Sequence, residues 1–340
     1  MRTFFLIVVL FTLSDSLAAQ ATIPPGPAVL ENARDLLNRG HPDQAVAILK
    51  KLAAVEPPIM GVEHELGKAL YSTGELAEAR NAFAKAIEQD ASDQDSVEME
   101  GLVLYRLGQP DAAIPYLERA VKGTQNASAD AQTGLDLCLV SVKRYDDARI
   151  TYARLFGEPP ESGGAYLLFA TILRRMDLSE PAAIQAQKAL DISPGLPLAH
   201  FILGEIALAK SDLEGAAGQF EAERRINPDY APTYDRLGDA YLRMEKLTEA
   251  QMALTKAITL DPTLSGAFLK MGMVLLRRKD VPTAITYLRH AAELDPDNFR
   301  AHLFLAQAYH RIGDDDAAKL EDEIVNQIHH DRQVHLEPGK

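Results

Sequence analysis

Cysteine is almost absent from this chain of 340 residues: Cys138 stands alone, so no disulfide can form within it. Tryptophan is missing altogether and aromatic residues make up only 6%, so the 47% hydrophobic content is mostly Ala and Leu. Both are strong helix formers, and no stretch is rich in the Val, Ile, Thr and aromatic residues that a sheet needs. The composition therefore predicts an all-α fold. Cations are also in deficit, 35 Lys and Arg against 49 Asp and Glu, a net charge of −14. That deficit excludes nucleic acid as a main partner, because phosphate binding needs an excess of Lys and Arg, and it argues equally against a polybasic membrane surface.

The start of the chain is of different material. Met1-Arg2-Thr3 is positive, Phe4 to Leu13 is an almost unbroken apolar run, and Ala19-Gln20-Ala21 has a small-x-small pattern. This is the anatomy of a secretory signal peptide. The run is about half the ~20 residues a membrane-spanning helix requires, and no Cys follows it to be lipidated. Residues 1–21 are expected to be removed by cleavage after Ala21, with Ala18 the next choice, leaving a linker at 22–25 and no stable membrane insertion. The mature protein is then periplasmic or secreted.

From residue 26 onward one residue sets a period. Ala45, Ala79, Ala113, Ala148, Ala182, Ala216, Ala250, Ala284 and Ala318 recur every 34 residues, except for one step of 35. Placing each at position 20 of a 34-residue unit yields units 26–59, 60–93, 94–127, 129–162, 163–196, 197–230, 231–264, 265–298 and 299–332, with Ser128 as the inserted residue and 333–340 as a flexible tail. Position 8 is then small in eight of nine units, position 7 is apolar in seven, and position 32 is Pro in six. Positions 4, 7, 8 and 11 share one face of a first helix, and 20, 24 and 27 share one face of a second. Small residues at 8 and 20 allow close approach of the pair, Gly40, Gly74, Gly108 and Gly313 at position 15 suit a left-handed helix terminus, and Pro at 32 ends the second helix. One such pair cannot bury its apolar face alone, so units must stack.

This pattern resembles the tetratricopeptide-repeat (TPR) family. Unit 231–264 comes nearest the family consensus, with Tyr234, Leu237-Gly238, Tyr241, Ala250, Ala257 and Asp261-Pro262. The resemblance implies a solenoid, a right-handed superhelix of stacked antiparallel helix pairs. Unit 299–332 departs from it with Asp322 at position 24. Its second helix places Ala317, Leu320, Ile324 and Ile328 at helical spacing, expected to pack inward, while Glu321, Asp322 and Glu323 form a polar outer side, as in a C-terminal cap. A second departure, with Glu100 at position 7, Asp136 at position 8 and the extra Ser128, predicts a break in regularity between the third and fourth units. Asn126-Ala127-Ser128 in that linker is also a glycosylation sequon, meaningful only in a eukaryotic source.

Motifs that carry chemistry are near misses. His64-Glu65 lacks the second His of a zinc-protease helix, since Lys68 stands there. Gly61 to Gly67-Lys68 is one residue too long for a phosphate-binding loop and is followed by Ala69. Asp314-Asp315-Asp316 lacks the spacing and Gly of a calcium loop and sits where a helix N-terminus favours acids. His329, His330 and His335 read as a solvated tail rather than a metal site. No catalytic, cofactor or metal residue is assigned, and the chain is not expected to be an enzyme.

The resemblance implies that positions 2, 5, 9, 12 and 13 line a concave face that takes a protein or peptide ligand. No unit has Lys or Arg at 5 or Asn at 9, so the carboxylate clamp of the family's chaperone-binding subgroup is not present. The candidate partner-binding residues are Leu137, Val140, Leu167, Thr171, Arg174, Phe201, Asp235 and Asp239: an apolar stretch through units four to six flanked by charge, suited to an amphipathic segment. The same residues also suit simple packing between neighbouring units. The functional expectation is an extracytoplasmic protein–protein interaction scaffold or adaptor. The alternative is a non-catalytic accessory subunit of an envelope enzyme, secretion or assembly complex.

Overall fold

The computed structural model describes residues 26–123 and 128–336, the stretch 332–336 as helix backbone. The expected signal peptide, the linker at 22–25 and the sequon residue Asn126 lie outside the described residues. Those described are all-helical, and they divide into two compact units between Arg144 and Tyr145.

The N-terminal unit holds α1 (Gly26–Asn38), α2 (Pro42–Ala53), α3 (Val62–Thr73), α4 (Leu76–Gln89), α5 (Gln94–Arg106), α6 (Pro110–Gly123) and α7 (Ala129–Ser141). Three helix hairpins form from α1 to α6, and α7 stacks on both α5 and α6. The C-terminal unit holds α8 (Tyr145–Leu155), α9 (Gly163–Arg175), α10 (Ser179–Ile192), α11 (Ala199–Ala209), α12 (Leu213–Ile226), α13 (Ala231–Arg243), α14 (Leu247–Leu260), α15 (Ser265–Arg277), α16 (Val281–Leu294), α17 (Phe299–Ile312) and α18 (Asp315–Leu336). Here α8 packs on α9, and five hairpins follow. Within each unit the first helices also touch one another in succession, α1 to α3 to α5 to α7 and α9 to α11 to α13 to α15 to α17. The second helices have no comparable mutual packing among the described residues, so the first helices line the tighter side of each stack.

The core follows the alanine period closely. All nine position-20 alanines, Ala45 through Ala318, have no exposed surface. Position 8 receives the large apolar residue of position 24: a Cβ added to Gly67 would lie 2.6 Å from Phe83, one on Gly204 2.6 Å from Phe220, and one on Gly272 2.4 Å from Leu288. No real Cβ tolerates such distances, so glycine at 8 is what lets Phe83, Phe220 and Leu288 bury fully.

Every turn within a hairpin closes the same way. The residue at position 15 takes a left-handed conformation, and its amide and the next one bond back into the last helical turn, as in Lys279 N to Leu276 O (3.2 Å) and Asp280 N to Leu275 O (2.9 Å). Glycine fills this position at 40, 74, 108 and 313. Lys143, Asp177, Ser211, Glu245 and Lys279 fill the other five with φ between 60 and 66°.

Two expectations need revision. The chain divides at Arg144, inside the fourth repeat, and not at Ser128; Ser128 caps α7 by accepting from Ala131 N at 2.9 Å, and α7 packs onto the third pair. The physical correlate is α8, a short helix whose buried residues are Ala148, Arg149 and Ala153, with Leu155 left 53% exposed. In the last pair Leu320 is 58% exposed and does not pack inward. Glu321 takes the inward slot, its carboxylate 2.6 Å from Nδ1 of buried His302, whose Nε2 lies 3.1 Å from the Pro296 carbonyl. Helix α18 continues to Leu336, beyond the repeat boundary at 332.

Candidate functional site: the first-helix faces

In the N-terminal unit the polar clusters are structural in form. His64 Nδ1 lies 2.8 Å from Ser96 Oγ and 3.1 Å from Asp93 Oδ2, and Ser96 Oγ itself donates to Asp93 Oδ2 at 2.5 Å. A nucleophile relay needs the Ser on one ring nitrogen and the Asp on the other. Here both reach the same nitrogen and Ser96 is fully buried, so the trio ties α3 to the start of α5. Burial tends to push the Asp93 carboxyl up, but hydrogen bonds from Ser96 and the nearby His64 outweigh it and hold it below the usual carboxylate range. Burial alone pushes the Cys138 thiol to about 11, which removes the thiolate a reactive cysteine requires. Among the described residues no group of three or more His, Cys, Asp or Glu is placed to hold a metal ion.

Of the candidate binding residues, Leu137 and Val140 lie on α7 in this unit. Leu137 is half-buried and Val140 is 3% exposed. The other six lie in the C-terminal unit. Half-buried Leu167 and Thr171 lie on α9, with the Thr171 hydroxyl donating to Leu167 O at 2.9 Å. Phe201 on α11 stands edge-on to Tyr230, ring centroids 5.4 Å apart, and also meets Phe220 at 5.7 Å.

Two of the three charged candidates, Arg174 and Asp235, belong to a ladder that crosses four successive first helices. Arg174 on α9 pairs with Glu205 on α11 at 3.2 Å, and Glu205 with Arg236 on α13 at 3.3 Å. Asp235, beside Arg236, receives Lys270 of α15 on both oxygens, at 2.8 and 2.9 Å. Asp235 is nearly buried, so its charge is stabilised by that ammonium rather than by water. Asp239, one turn on, is half-buried. Tyr230 lies within the field of this ladder: burial pushes its phenol up, assisted by Glu205 and Glu223 and opposed by Arg174 and Arg236.

Two features escaped sequence reasoning. Glu223, fully buried, stands where other repeats carry Ala86, Ala120, Ala189, Ala257 and Ala291, and its carboxylate accepts from Leu198 N (2.8 Å) and Phe201 N (3.3 Å). It thereby occupies the N-terminus of α11 and holds Leu198 at φ 74°, although Leu198 is not glycine and is 37% exposed. An acid at a position where the period demands Ala was the available signal. The second feature is a set of arginines at position 13. Arg243, Arg277 and Arg311 each reach back to the end of the preceding first helix, donating through Nη1 to Leu208 O (3.3 Å), Leu242 O (3.0 Å) and Leu276 O (3.2 Å). They add a second donor to helix-terminal carbonyls that the position-15 amides already reach, and their 34-residue spacing was legible as a period of its own.

Comparison with known proteins agrees with this architecture. One tetratricopeptide-repeat family model matches residues 30–96, 64–131, 98–162 and 173–231, and two further ones match 231–264 and 275–335. The chain is 22% identical over 304 residues to the BBSome complex member BBS4 homolog of Drosophila melanogaster, covering 85% of this chain and 62% of that protein. It is 23% identical over 248 residues to the Hsp70-Hsp90 organizing protein of Triticum aestivum, covering 69% of this chain and 41% of that one. Less than two thirds of either relative's length is therefore spanned. Among solved structures, YrrB, described as a TPR protein with an unusual peptide-binding site, is 21% identical, with 54% of this chain and 95% of that one covered and a TM-score of 0.45. Since the first family model alone matches more than half of the sequence, the chain belongs to the tetratricopeptide-repeat family.

Proposed function

We propose that this chain is an extracytoplasmic adaptor that holds a segment of a partner protein against the first-helix face of its C-terminal unit. Tetratricopeptide-repeat proteins act as protein–protein interaction scaffolds. The observation that carries the reading for this face is Leu198. A β-carbon in the left-handed region costs about 1 kcal/mol or more, and strain of that kind persists only where the surroundings enforce it. Glu223 enforces it here, and the result is a leucine held partly in solvent beside the Phe201–Tyr230 pair, with Leu167 on the neighbouring helix. Packing of the stack does not require an exposed apolar residue in a strained conformation; a preorganised docking point does. The extracytoplasmic setting rests on the amino-terminal segment and its Ala19-Gln20-Ala21 site.

The test replaces Leu167 and Phe201 together by Glu in the full chain. With helicity and the melting transition retained, capture of the partner from an envelope fraction of the source cell should fall about tenfold or more, as for central apolar anchors. Undiminished capture by the folded double variant would overturn the reading. The captured mature chain should begin at Thr22.

A further inference from the structure

Charge is distributed unevenly over the first helices. In the N-terminal unit α1, α3, α5 and α7 carry nine acids against three bases, a net of −6. In the C-terminal unit α9, α11, α13, α15 and α17 carry eight bases against three acids, a net of +5, in a chain whose total is −14. Two of those three acids, Glu205 and Asp235, are already neutralised within the ladder. The excess resides in the arginines.

Resting on the docking reading above, we infer that the partner segment is acidic and extended, with carboxylates at every third residue, and that Arg243, Arg277 and Arg311 read them. Each of these side chains grips a backbone carbonyl of the preceding first helix through Nη1. Arg243 also donates through Nη2 to Ser211 Oγ (3.2 Å) and Arg277 also pairs with Glu245, so each guanidinium is held in place with some of its five N–H donors to spare. The Arg277 side chain is 39% exposed, and Arg243 and Arg311 are exposed as well. The three stand one per repeat, and touching helices are spaced about 8–10 Å apart. Every third residue of an extended chain advances about 10 Å, so carboxylates in that register meet successive guanidiniums without strain on either side. Ordered guanidiniums lose little entropy on binding, and Arg pairs bidentately with carboxylate.

The experiment uses the mature full chain and fluorescein-labelled synthetic peptides that repeat Glu-Leu-Ser, Gln-Leu-Ser or Lys-Leu-Ser, read by anisotropy. The Glu peptide should bind about tenfold more tightly than the Gln peptide and more tightly still than the Lys peptide, with the preference shrinking as salt rises. The variant Arg243→Gln, Arg277→Gln, Arg311→Gln, if its helicity is retained, should lose about tenfold for the Glu peptide alone. Equal binding of the Glu and Gln peptides overturns the proposal and needs no variant to do so. Equal affinity for a thymidine oligonucleotide through the same arginines overturns it as well, as does self-association of the chain that the triple variant abolishes. Phe201→Glu separates the two levels: equal binding of all three peptides that this change abolishes removes the charge reading and keeps the groove. A Glu-specific affinity that Phe201→Glu leaves intact removes the apolar groove.

Discussion

Both units are written in the same 34-residue pattern, yet their first helices carry opposite charge. The N-terminal unit is acidic along α1, α3, α5 and α7, whereas the C-terminal unit is basic along α9 to α17. The packing positions do not share this divergence. Ala45 and Ala250, from different units, are alike in being wholly buried, and Gly101 and Gly272 receive Leu117 and Leu288 in the same manner. The contrast separates two kinds of constraint. Residues that meet another helix are dictated by close packing and repeat with the period, whereas residues on the first-helix face are free to differ, and they carry the chemistry.

The largest effects should fall on the shared positions, and equally in the two units. A Cβ on Gly101 would stand 2.7 Å from Leu117 Cγ, and one on Gly272 2.4 Å from Leu288 Cγ. Gly101→Val and Gly272→Val should each cost about 3 kcal/mol, since the second helix must move away from the first. Urea denaturation followed by circular dichroism measures this. A variant that costs nothing in one unit would break the claim that both use one packing rule.

A smaller effect belongs to the N-terminal unit alone. Glu100 is 1% exposed at a position that is apolar in most repeats, and Arg80 Nε reaches one of its oxygens at 3.3 Å. Burial pushes its carboxyl above the usual range, and Arg80 only partly opposes that. A raised folded-state value means that the folded chain holds the proton more tightly than the unfolded one. The ionised carboxylate therefore costs stability at neutral pH, and the cost is relieved as pH falls through the raised value. Glu100→Gln should stabilise the chain by about 1 kcal/mol at neutral pH, with the gain fading toward about pH 4. A loss of stability at neutral pH would show instead that the Arg80 pair outweighs the burial.

Much of the fold was legible in the sequence because packing is periodic. Nine alanines, five glycines at position 8 and the prolines at 32 report contacts made within one pair or between adjacent pairs, and such contacts must recur wherever the pair recurs. The misread residues all act outside that period. Leu320 was assigned inward from spacing alone, but a buried hydrogen bond from His302 selects Glu321 for the slot one residue on. The division at Arg144 depends on how little apolar surface α8 offers, which is a property of one helix rather than of the repeat. The candidate site was legible only in outline. Phe201, Arg174 and Asp235 lie on first helices, as their spacing implies, but Tyr230 meets Phe201 from the N-cap of α13, and Glu205 and Lys270 come from neighbouring repeats, at separations that no local motif encodes.

The smallest expected effect concerns the turns, where the two units differ again. Gly40, Gly74 and Gly108 serve three of the four turns up to Arg144, whereas the turns beyond it use Asp177, Ser211, Glu245 and Lys279 before glycine returns at 313. A side chain in the left-handed region costs about 1–2 kcal/mol relative to glycine. Glycine returns part of that advantage through the greater freedom of its unfolded chain, about 0.4–1 kcal/mol. The balance for Lys279→Gly is a gain of about 0.5–1 kcal/mol, with less at Asp177, because aspartate tolerates this conformation better, and less at Glu245, whose carboxylate also pairs with Arg277. The converse change is Gly74→Ala, where no atom lies within 4 Å of the added Cβ, so the whole cost is conformational. It should lose about as much as Lys279→Gly gains. Paired thermal melts of these variants compare the turns directly. If Lys279→Gly lowers the melting temperature, the lysine has a stabilising contact of its own, and the turns of the two units differ by design rather than by tolerated strain.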